Sequence, residues 1–373
     1  MRIQPGSTIR EWDFCEEIGR GAVGVIFRAR HRLDGRDYAI KILRPELSKL
    51  DELKTRFLQE AAICARLEHP HIVKTLPAFE QAGRLFLPME LLEGNSLASL
   101  LALDERPWPI DYIRFVVAQV TAALGYAHSI EIAHRDVKLG NIFVLSDGQT
   151  VKLVDFGLAL GEGSEKLTIT GTTVGTPTYL APEIIDGERG SPTGDIYALG
   201  IVLYRLLTKK LPFKLEPVAN PLLSAIEMRI QQEKGLPSPA VERPDCPPDI
   251  VNLVNSMIAF DPAKRPASMD EVRERLAAPS DINPLDFFRK IHPPRASSAS
   301  MGNQIPTNNR EEATVGGRLQ QGKNAAFSAV DTTTEGEGVQ YPEGDFSGVT
   351  RNIRVRTDPT IRDFRYSELK DLE

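Results

Sequence analysis

Two short stretches of this chain carry side chains that could do chemistry together. The first is His134-Arg135-Asp136-Val137-Lys138-Leu139-Gly140-Asn141, and the second is Lys152-Leu153-Val154-Asp155-Phe156-Gly157. Asp155 and Asn141 offer hard oxygens suited to Mg²⁺, and Lys138 can meet a phosphate oxygen. Asp136 is then the remaining carboxylate, free to accept a proton from an attacking hydroxyl. Such a set fits phosphoryl transfer, which asks a protein for positioning and charge neutralisation more than for covalent chemistry. Taken singly, Asp-Phe-Gly is no more than a turn former. The two motifs in this order form a specific signal.

These groups need elements to position them. Upstream lies Ile18-Gly19-Arg20-Gly21-Ala22-Val23-Gly24-Val25-Ile26. Glycines let a hairpin bring backbone N–H groups close to phosphates without interference from Cβ. The same letters open a helix in dinucleotide-binding folds, but here Val25-Ile26-Phe27-Arg28-Ala29 continues as a strand. A turn at Asp34-Gly35 leads to a second strand, Tyr38-Ala39-Ile40-Lys41. Asp51 to Glu68 reads as a helix, with Leu53, Phe57, Ala61 and Cys64 at helical spacing. His69-Pro70-His71 could chelate a metal, yet no other Cys or His cluster is near, so it reads as a turn. Leu85 to Gly94 reads as a strand and hinge, and Pro88 predicts a local irregularity because it removes a ladder donor. Helices are expected over Ser96 to Ala102, Asp111 to Ser129, Pro221–Lys234 and Pro248–Ala259. Gly161 to Thr173 is polar and aperiodic, a mobile loop. Ser268 to Glu271 forms a capping box for a last helix ending near Ala278.

The spacing H-R-D-x-K-x-x-N followed by D-F-G, behind a glycine hairpin and a strand lysine, resembles the catalytic core of the protein kinases. The style of Gly175–Glu183 and of Asp261–Pro266 is similar to the bacterial, eukaryotic-like (Hanks-type) serine/threonine kinases. The resemblance runs from about Trp12 to Ala278. It implies an α+β fold of two lobes, a small antiparallel sheet plus one helix and then a larger, mainly helical lobe, with ATP between them. Residues 1–11 would be a lead-in, 12–92 the N-lobe, 93–280 the C-lobe, 281–290 a transition and 291–373 a disordered tail.

The resemblance also implies roles. Asp136 would orient and deprotonate a Ser or Thr hydroxyl, Lys138 would neutralise charge on the moving group, and Asn141 and Asp155 would hold Mg²⁺. Lys41, fixed by Glu60 on the helix, would anchor the α- and β-phosphates beneath Gly19, Arg20, Gly21, Ala22, Val23 and Gly24. Ile18, Ile26, Ala39 and Phe143 would wall the adenine with Met89 at the back, while the main chain of Glu90 and Leu92 meets its edge. Asp195 would bind backbone N–H groups of the catalytic loop, and Arg265 would partner Glu183. Lys138 together with Thr176 points to Ser/Thr over Tyr acceptors. Thr172, with Thr173 and Thr170 as near alternates, falls where the family places a loop phosphate that pairs with Arg135. Arg56, one turn before Glu60, is placed to reach the same phosphate.

Bulk properties exclude other classes. The 373 residues are 41% hydrophobic and 26% charged, ordinary for a globular protein. A net charge of -6 argues against general nucleic-acid affinity. Three cysteines without a CxxC pair suit a reducing, cytoplasmic compartment. No apolar run reaches the roughly 18 residues of a membrane span. The best, Ile196 to Leu207, is short and carries Arg205. Past Ile291, Ser, Thr, Gly, Asn and Pro dominate, without the apolar density to offset ordering entropy. Thr314 and Thr332 to Thr334 are acid-flanked there and could recruit phosphothreonine-reader domains. A scaffold that binds nucleotide without catalysis is the rival reading; the intact polar positions weigh against it.

Overall fold

From Trp12 to Glu90 apolar side chains are sorted to two faces of extended chain, as a sheet covered on both sides requires. The computed structural model describes residues 3–21, 24–44, 51–103, 106–156, 178–214, 221–276 and 288, without the side chains of 51–53, 56, 59, 60, 221 and 222. Its first sheet comprises β1 (Thr8–Ile9), β2 (Trp12–Arg20), β3 (Gly24–His31), β4 (Asp37–Leu43), β5 (Phe79–Gln81) and β6 (Arg84–Glu90). All neighbours pair antiparallel, in the order β1-β2-β3-β4-β6-β5. One face carries Ala39, Leu43, Leu85, Leu87 and Met89, which cluster with Phe57 and Ala61 of helix α1 (Asp51–Cys64). The other buries Phe14, Phe27, Ile40, Ile42, Phe79 and Phe86.

Two expectations need correction here. The helix stops at Cys64 and not at Glu68. Arg66 and Leu67 N–H donate to the Ile63 and Cys64 carbonyls at 3.0 Å, three-residue turns that close the helix ahead of Pro70. Toward β4, Pro88 leaves its strand regular: Ile40 faces Pro88 in an unbroken register, and the missing donor is on the side of residues 74–76. The reason is direction. Leu76 N–H donates to the Pro88 carbonyl at 2.9 Å, so residue 88 turns its main-chain groups away from β4. The ladder to β4 never needed the missing donor.

The second part of the chain contains a three-stranded sheet of β7 (Gly94–Ser96), β8 (Ile142–Leu145) and β9 (Val151–Leu153), and a helical body. Helices α2 (Leu97–Leu103), α3 (Ile110–Ser129), α4 (Pro182–Ile185), α5 (Pro192–Thr208), α6 (Pro221–Lys234), α7 (Pro239–Glu242), α8 (Pro248–Met257) and α9 (Met269–Leu276) follow in order. From Asp195 to Leu207 every residue of α5 but Arg205 is buried, the mark of a helix in the middle of a core. Ser191 caps it by accepting from Gly194 N–H at 3.2 Å, with Pro192 at the first helical position. Gly200 lets α8 approach: a Cβ there would lie 2.8 Å from Met257 Cβ and Ile258 Cγ2. Among the described residues no helix is long and apolar enough to cross a membrane.

The last helix carries a modified capping box. Ser268 Oγ accepts from Glu271 N–H at 3.2 Å, while the Glu271 carboxylate reaches one residue further back, to Ala267 N–H at 2.8 Å. All described residues belong to one compact unit, and the tail expected to be disordered lies outside them.

The glycine hairpin divides by physical cause. At Gly24 a Cβ would run into the Ile42 carbonyl oxygen of β4, whereas nothing lies within 4 Å of one at Gly21. Gly24→Ala is therefore expected to lower unfolding free energy by about 1–3 kcal/mol. Gly21→Ala should change it by less than about 0.5 kcal/mol. Urea denaturation of the two variants checks this, and equal midpoints would contradict it.

Candidate active site

The loop around Asp136 hangs from one buried carboxylate. Asp195, in the first turn of α5, accepts from His134 N–H at 2.7 Å, Arg135 N–H at 2.8 Å and His128 Nε2 at 2.8 Å. These bonds hold Arg135 in a left-handed conformation, φ 64°, which costs a non-glycine residue about 1–3 kcal/mol. Gly190 makes room for the Arg135 side chain, since a Cβ there would lie 2.7 Å from its Cγ. Asp136 comes next. Lys138 Nζ donates to its Oδ2 at 2.7 Å, and Asn141 Nδ2 donates to the same oxygen at 3.0 Å and to the Asp136 carbonyl at 2.8 Å.

The second motif is laced to the first at Val154. Its N–H donates to the Asn141 carbonyl at 2.9 Å, and its carbonyl accepts from His134 Nε2 at 2.9 Å. His134 Nδ1 in turn accepts from Asp136 N–H at 3.2 Å. One ring nitrogen donates and the other accepts, which only a neutral imidazole can do. Complete burial lowers the His134 pKa in the same direction, against the raising pull of Asp195 and Asp136. Asp155 follows with φ 61°. Its Oδ1 accepts from Lys41 Nζ at 2.8 Å. Burial pushes the Asp155 carboxyl up, but Lys41, with Lys138 behind it, holds it below the usual carboxylate range. Phe156 packs on the His134 ring with centroids 4.5 Å apart, and its carbonyl accepts from the Cys64 thiol of α1 at 3.5 Å.

Some anticipated positions come together, and others lie outside the described residues. Glu60 lies on α1, but its side chain is outside the described atoms; among those described, Asp155 is the carboxylate at Lys41. A lysine this buried requires an anion, and Asp155 supplies it. Ile26, Ala39, Met89, Leu92 and Phe143 join one apolar cluster, whereas Ile18 on β2 is 46% exposed and outside it. Arg20 is an exposed residue paired with Glu17 at 2.6 Å. The hairpin closes through Gly21 N–H to the Gly24 carbonyl at 2.9 Å. Glu183 and Arg265 meet through two bonds, at 2.7 and 2.8 Å, both side chains buried. Ala22, Val23, Thr170, Thr172, Thr173 and Thr176 lie outside the described residues, as does the Arg56 side chain.

Sequence reasoning missed four participants. Val73, Leu87 and Val154 belong to the same apolar cluster as Ala39 and Met89, and His128 donates to Asp195. The available signal for His128 was an imidazole in the last turn of a largely apolar helix. His69 and His71 take structural partners: His69 stacks on Tyr126 with centroids 5.2 Å apart, and His71 Nδ1 meets the Val151 carbonyl at 3.0 Å.

The donor set fits Mg²⁺ in kind. Asn141 Nδ2 faces Asp136 and Asp155 Oδ1 faces Lys41, so Asn141 Oδ1 and Asp155 Oδ2 remain as hard oxygens.

Comparison with known proteins agrees with this arrangement. The sequence profile described as "Protein kinase domain" matches residues 12–276. Serine/threonine-protein kinase PknH of Mycobacterium tuberculosis is 34% identical over 291 residues, 76% of this chain and 45% of that protein. DNA damage-responsive serine/threonine-protein kinase RqkA of Deinococcus radiodurans is 33% identical over 272 residues, 72% of this chain and 39% of its own length. The chain thus spans under half the length of these curated relatives. The crystal structure of the Mycobacterium tuberculosis PknI kinase domain superposes with a TM-score of 0.59 at 26% identity, covering 74% of this chain and 98% of that one. The chain belongs to the protein kinase family, whose members generally use ATP and Mg²⁺.

The neutral ring of His134 generates a pH prediction. Its folded pKa is lowered, so the unfolded chain takes up the proton first, near the ordinary value of about 6.5. Its stabilising contribution is complete above that pH and is lost as pH falls below it. His134→Asn should cost about 1–3 kcal/mol at neutral to mildly alkaline pH. That deficit should shrink on acidification in paired urea titrations. A deficit independent of pH would contradict the neutral-ring assignment.

Proposed function

We propose that this chain is a serine/threonine protein kinase that transfers the γ-phosphoryl group of ATP to Ser or Thr hydroxyls of protein substrates. The observation that carries the reading is the lacing of both motifs through Val154, which joins the loop bearing Asp136 to the turn bearing Asp155. On this reading the N-lobe runs over residues 12–92 and the C-lobe over 93–280. The names of PknH and RqkA favour Ser/Thr acceptors. Three free cysteines, two of them buried, suit a reducing cytoplasm.

The chain's own groups divide the work. Asp136 engages Lys138 and Asn141 through Oδ2, leaving Oδ1 to orient a substrate hydroxyl and accept its proton. Lys138 stands beside that carboxylate to neutralise charge on the transferred group. Lys41 anchors the phosphates that stay behind. Asn141 Oδ1 and Asp155 Oδ2 would hold Mg²⁺, which when bound supplies charge neutralisation at the phosphate oxygens. Glu90 and Leu92 present the main-chain acceptor and donor for the adenine edge, between Ile26, Ala39, Phe143 and Met89.

Transfer of ³²P from γ-labelled ATP to a Ser/Thr peptide library tests the activity. Lys41→Met and Asp155→Asn should each reduce it at least about 100-fold while the protein stays folded. Asp136→Asn should lower kcat by about 10²–10⁴ with ATP affinity nearly kept, because it acts on the acceptor hydroxyl. Wild-type activity in either of the first two would overturn the site assignment.

Autophosphorylation follows from the same reading. A phosphate on Thr172, or on Thr173 or Thr170, would pair with Arg135 and with Arg56, tying the catalytic loop to α1. Thr172→Ala/Thr173→Ala should lose most activity. Intact-mass and peptide mapping after incubation with MgATP checks this, and a fully active preparation without phosphate between Gly161 and Gly175 would contradict it.

A further inference from the structure

Glu90, the last residue of β6, breaks the hydrogen-bond pattern of its own strand. Beside β6 runs the segment Lys74 to Leu76. Leu76 N–H donates to the Pro88 carbonyl and Glu90 N–H donates to the Lys74 carbonyl, both at 2.9 Å. In an antiparallel ladder the N–H and carbonyl of one residue face the same neighbour, so the Lys74 N–H should return the bond to the Glu90 carbonyl. It goes elsewhere. Lys74 N–H donates to Glu90 Oε1 at 2.7 Å. The side chain of Glu90 has taken the donor that belongs to its own main-chain oxygen.

A second group fixes that substitution. Lys152 Nζ, from β9, donates to the same Oε1 at 2.7 Å and lies 3.4 Å from the Ile72 carbonyl. Its side chain is only 15% exposed. A half-buried carboxylate with an ammonium and an amide on one oxygen has a restricted rotamer, so the exchange is built in. Pro88, two residues earlier, lacks the N–H that would complete the preceding rung. The seam between residues 74–76 and 88–90 is therefore held by two main-chain bonds and one side chain.

We propose that Glu90 and Lys152 are positioning residues that keep the Glu90 carbonyl out of the ladder, as an acceptor for the exocyclic amino group of a 6-aminopurine nucleotide. The proposal rests on the kinase reading above. It assigns selection for an amino group at the 6-position to a side chain that never touches the base. A plain stitch between the hinge and β9 would instead weaken every nucleotide alike.

Discrimination is thus the measurement that separates the two. Dissociation constants of the full chain are measured by calorimetry for ATP and for purine riboside triphosphate, which carries hydrogen in place of the 6-amino group. The unmodified chain is expected to prefer ATP by about five- to tenfold, the worth of one hydrogen bond. In Glu90→Ala the Lys74 N–H recovers the carbonyl and the ratio falls toward one. Lys152→Met, which keeps the Lys74 bond but frees the rotamer, should give an intermediate ratio, and Lys152→Arg should restore it. Lys152→Met also keeps the test readable where Glu90→Ala does not fold. A ratio in Glu90→Ala or Lys152→Met equal to that of the unmodified chain overturns the proposal while leaving the kinase reading intact, and so does a ratio of one in the unmodified chain. Binding of neither nucleotide overturns both.

Discussion

The buried carboxylate of Asp195 is the constraint on which the candidate site depends. A carboxylate taken out of water is costly unless its oxygens are fully hydrogen-bonded. Here two backbone N–H groups and an imidazole meet that demand, and the start of α5 adds its dipole. The helix cannot move, because every face of it is core. A loop that would otherwise sample many conformations is thereby fixed at two successive residues. The strain in Arg135 follows from this anchoring: three charge-assisted or polar bonds outweigh one left-handed residue.

From that anchor the order spreads through bonds in which a main-chain group is always one partner. His134 passes it to Val154, Val154 to Asn141, and Asn141 to Asp136. The loop closes on itself, so shifting any member disturbs a carboxylate that must meet substrate. Asp155, one residue past Val154, carries the second left-handed φ and faces Lys41 of the first sheet. Through the peptide link from Val154 to Asp155, Lys41 of the first sheet is thereby joined to the loop that hangs from α5, with an apolar ring, Phe156, packed against the His134 imidazole.

Side-chain chemistry at fixed spacing was legible in the sequence; the fate of backbone donors was not. Asp136, Asn141, Asp155, Lys41, Asp195, Glu183 and Arg265 could be named from their motifs, and the structure brings the last two into a bidentate pair. The two-part fold was legible through the resemblance that those motifs carry, and the alternation of strands agreed with it. Val154 was invisible because its contribution is its N–H and carbonyl, which every residue has. Pro88 misled for the same reason, since its effect depends on which side of β6 its nitrogen faces. Ile18 is 46% exposed and outside the apolar cluster, a difference from its neighbours that apolar type alone does not show. The helix end at Cys64 was missed because turns of three residues leave no mark in apolar periodicity.

The Lys41–Asp155 pair shows how such a network can be stable and still ready to bind. Its carboxyl is held below the ordinary range, so Asp155 is ionised at neutral pH and need lose no proton to meet a cation. Only one of its oxygens faces Lys41, and the other stays available. Lys41 is in turn an ammonium whose partner can be shared with phosphate, since a point charge with three donors is not confined to one geometry. A bidentate arginine at this position would hold Asp155 through both oxygens and leave none for a metal. The site thus uses a lysine where ligands must be exchanged, and an arginine, Arg265, where Glu183 must never let go.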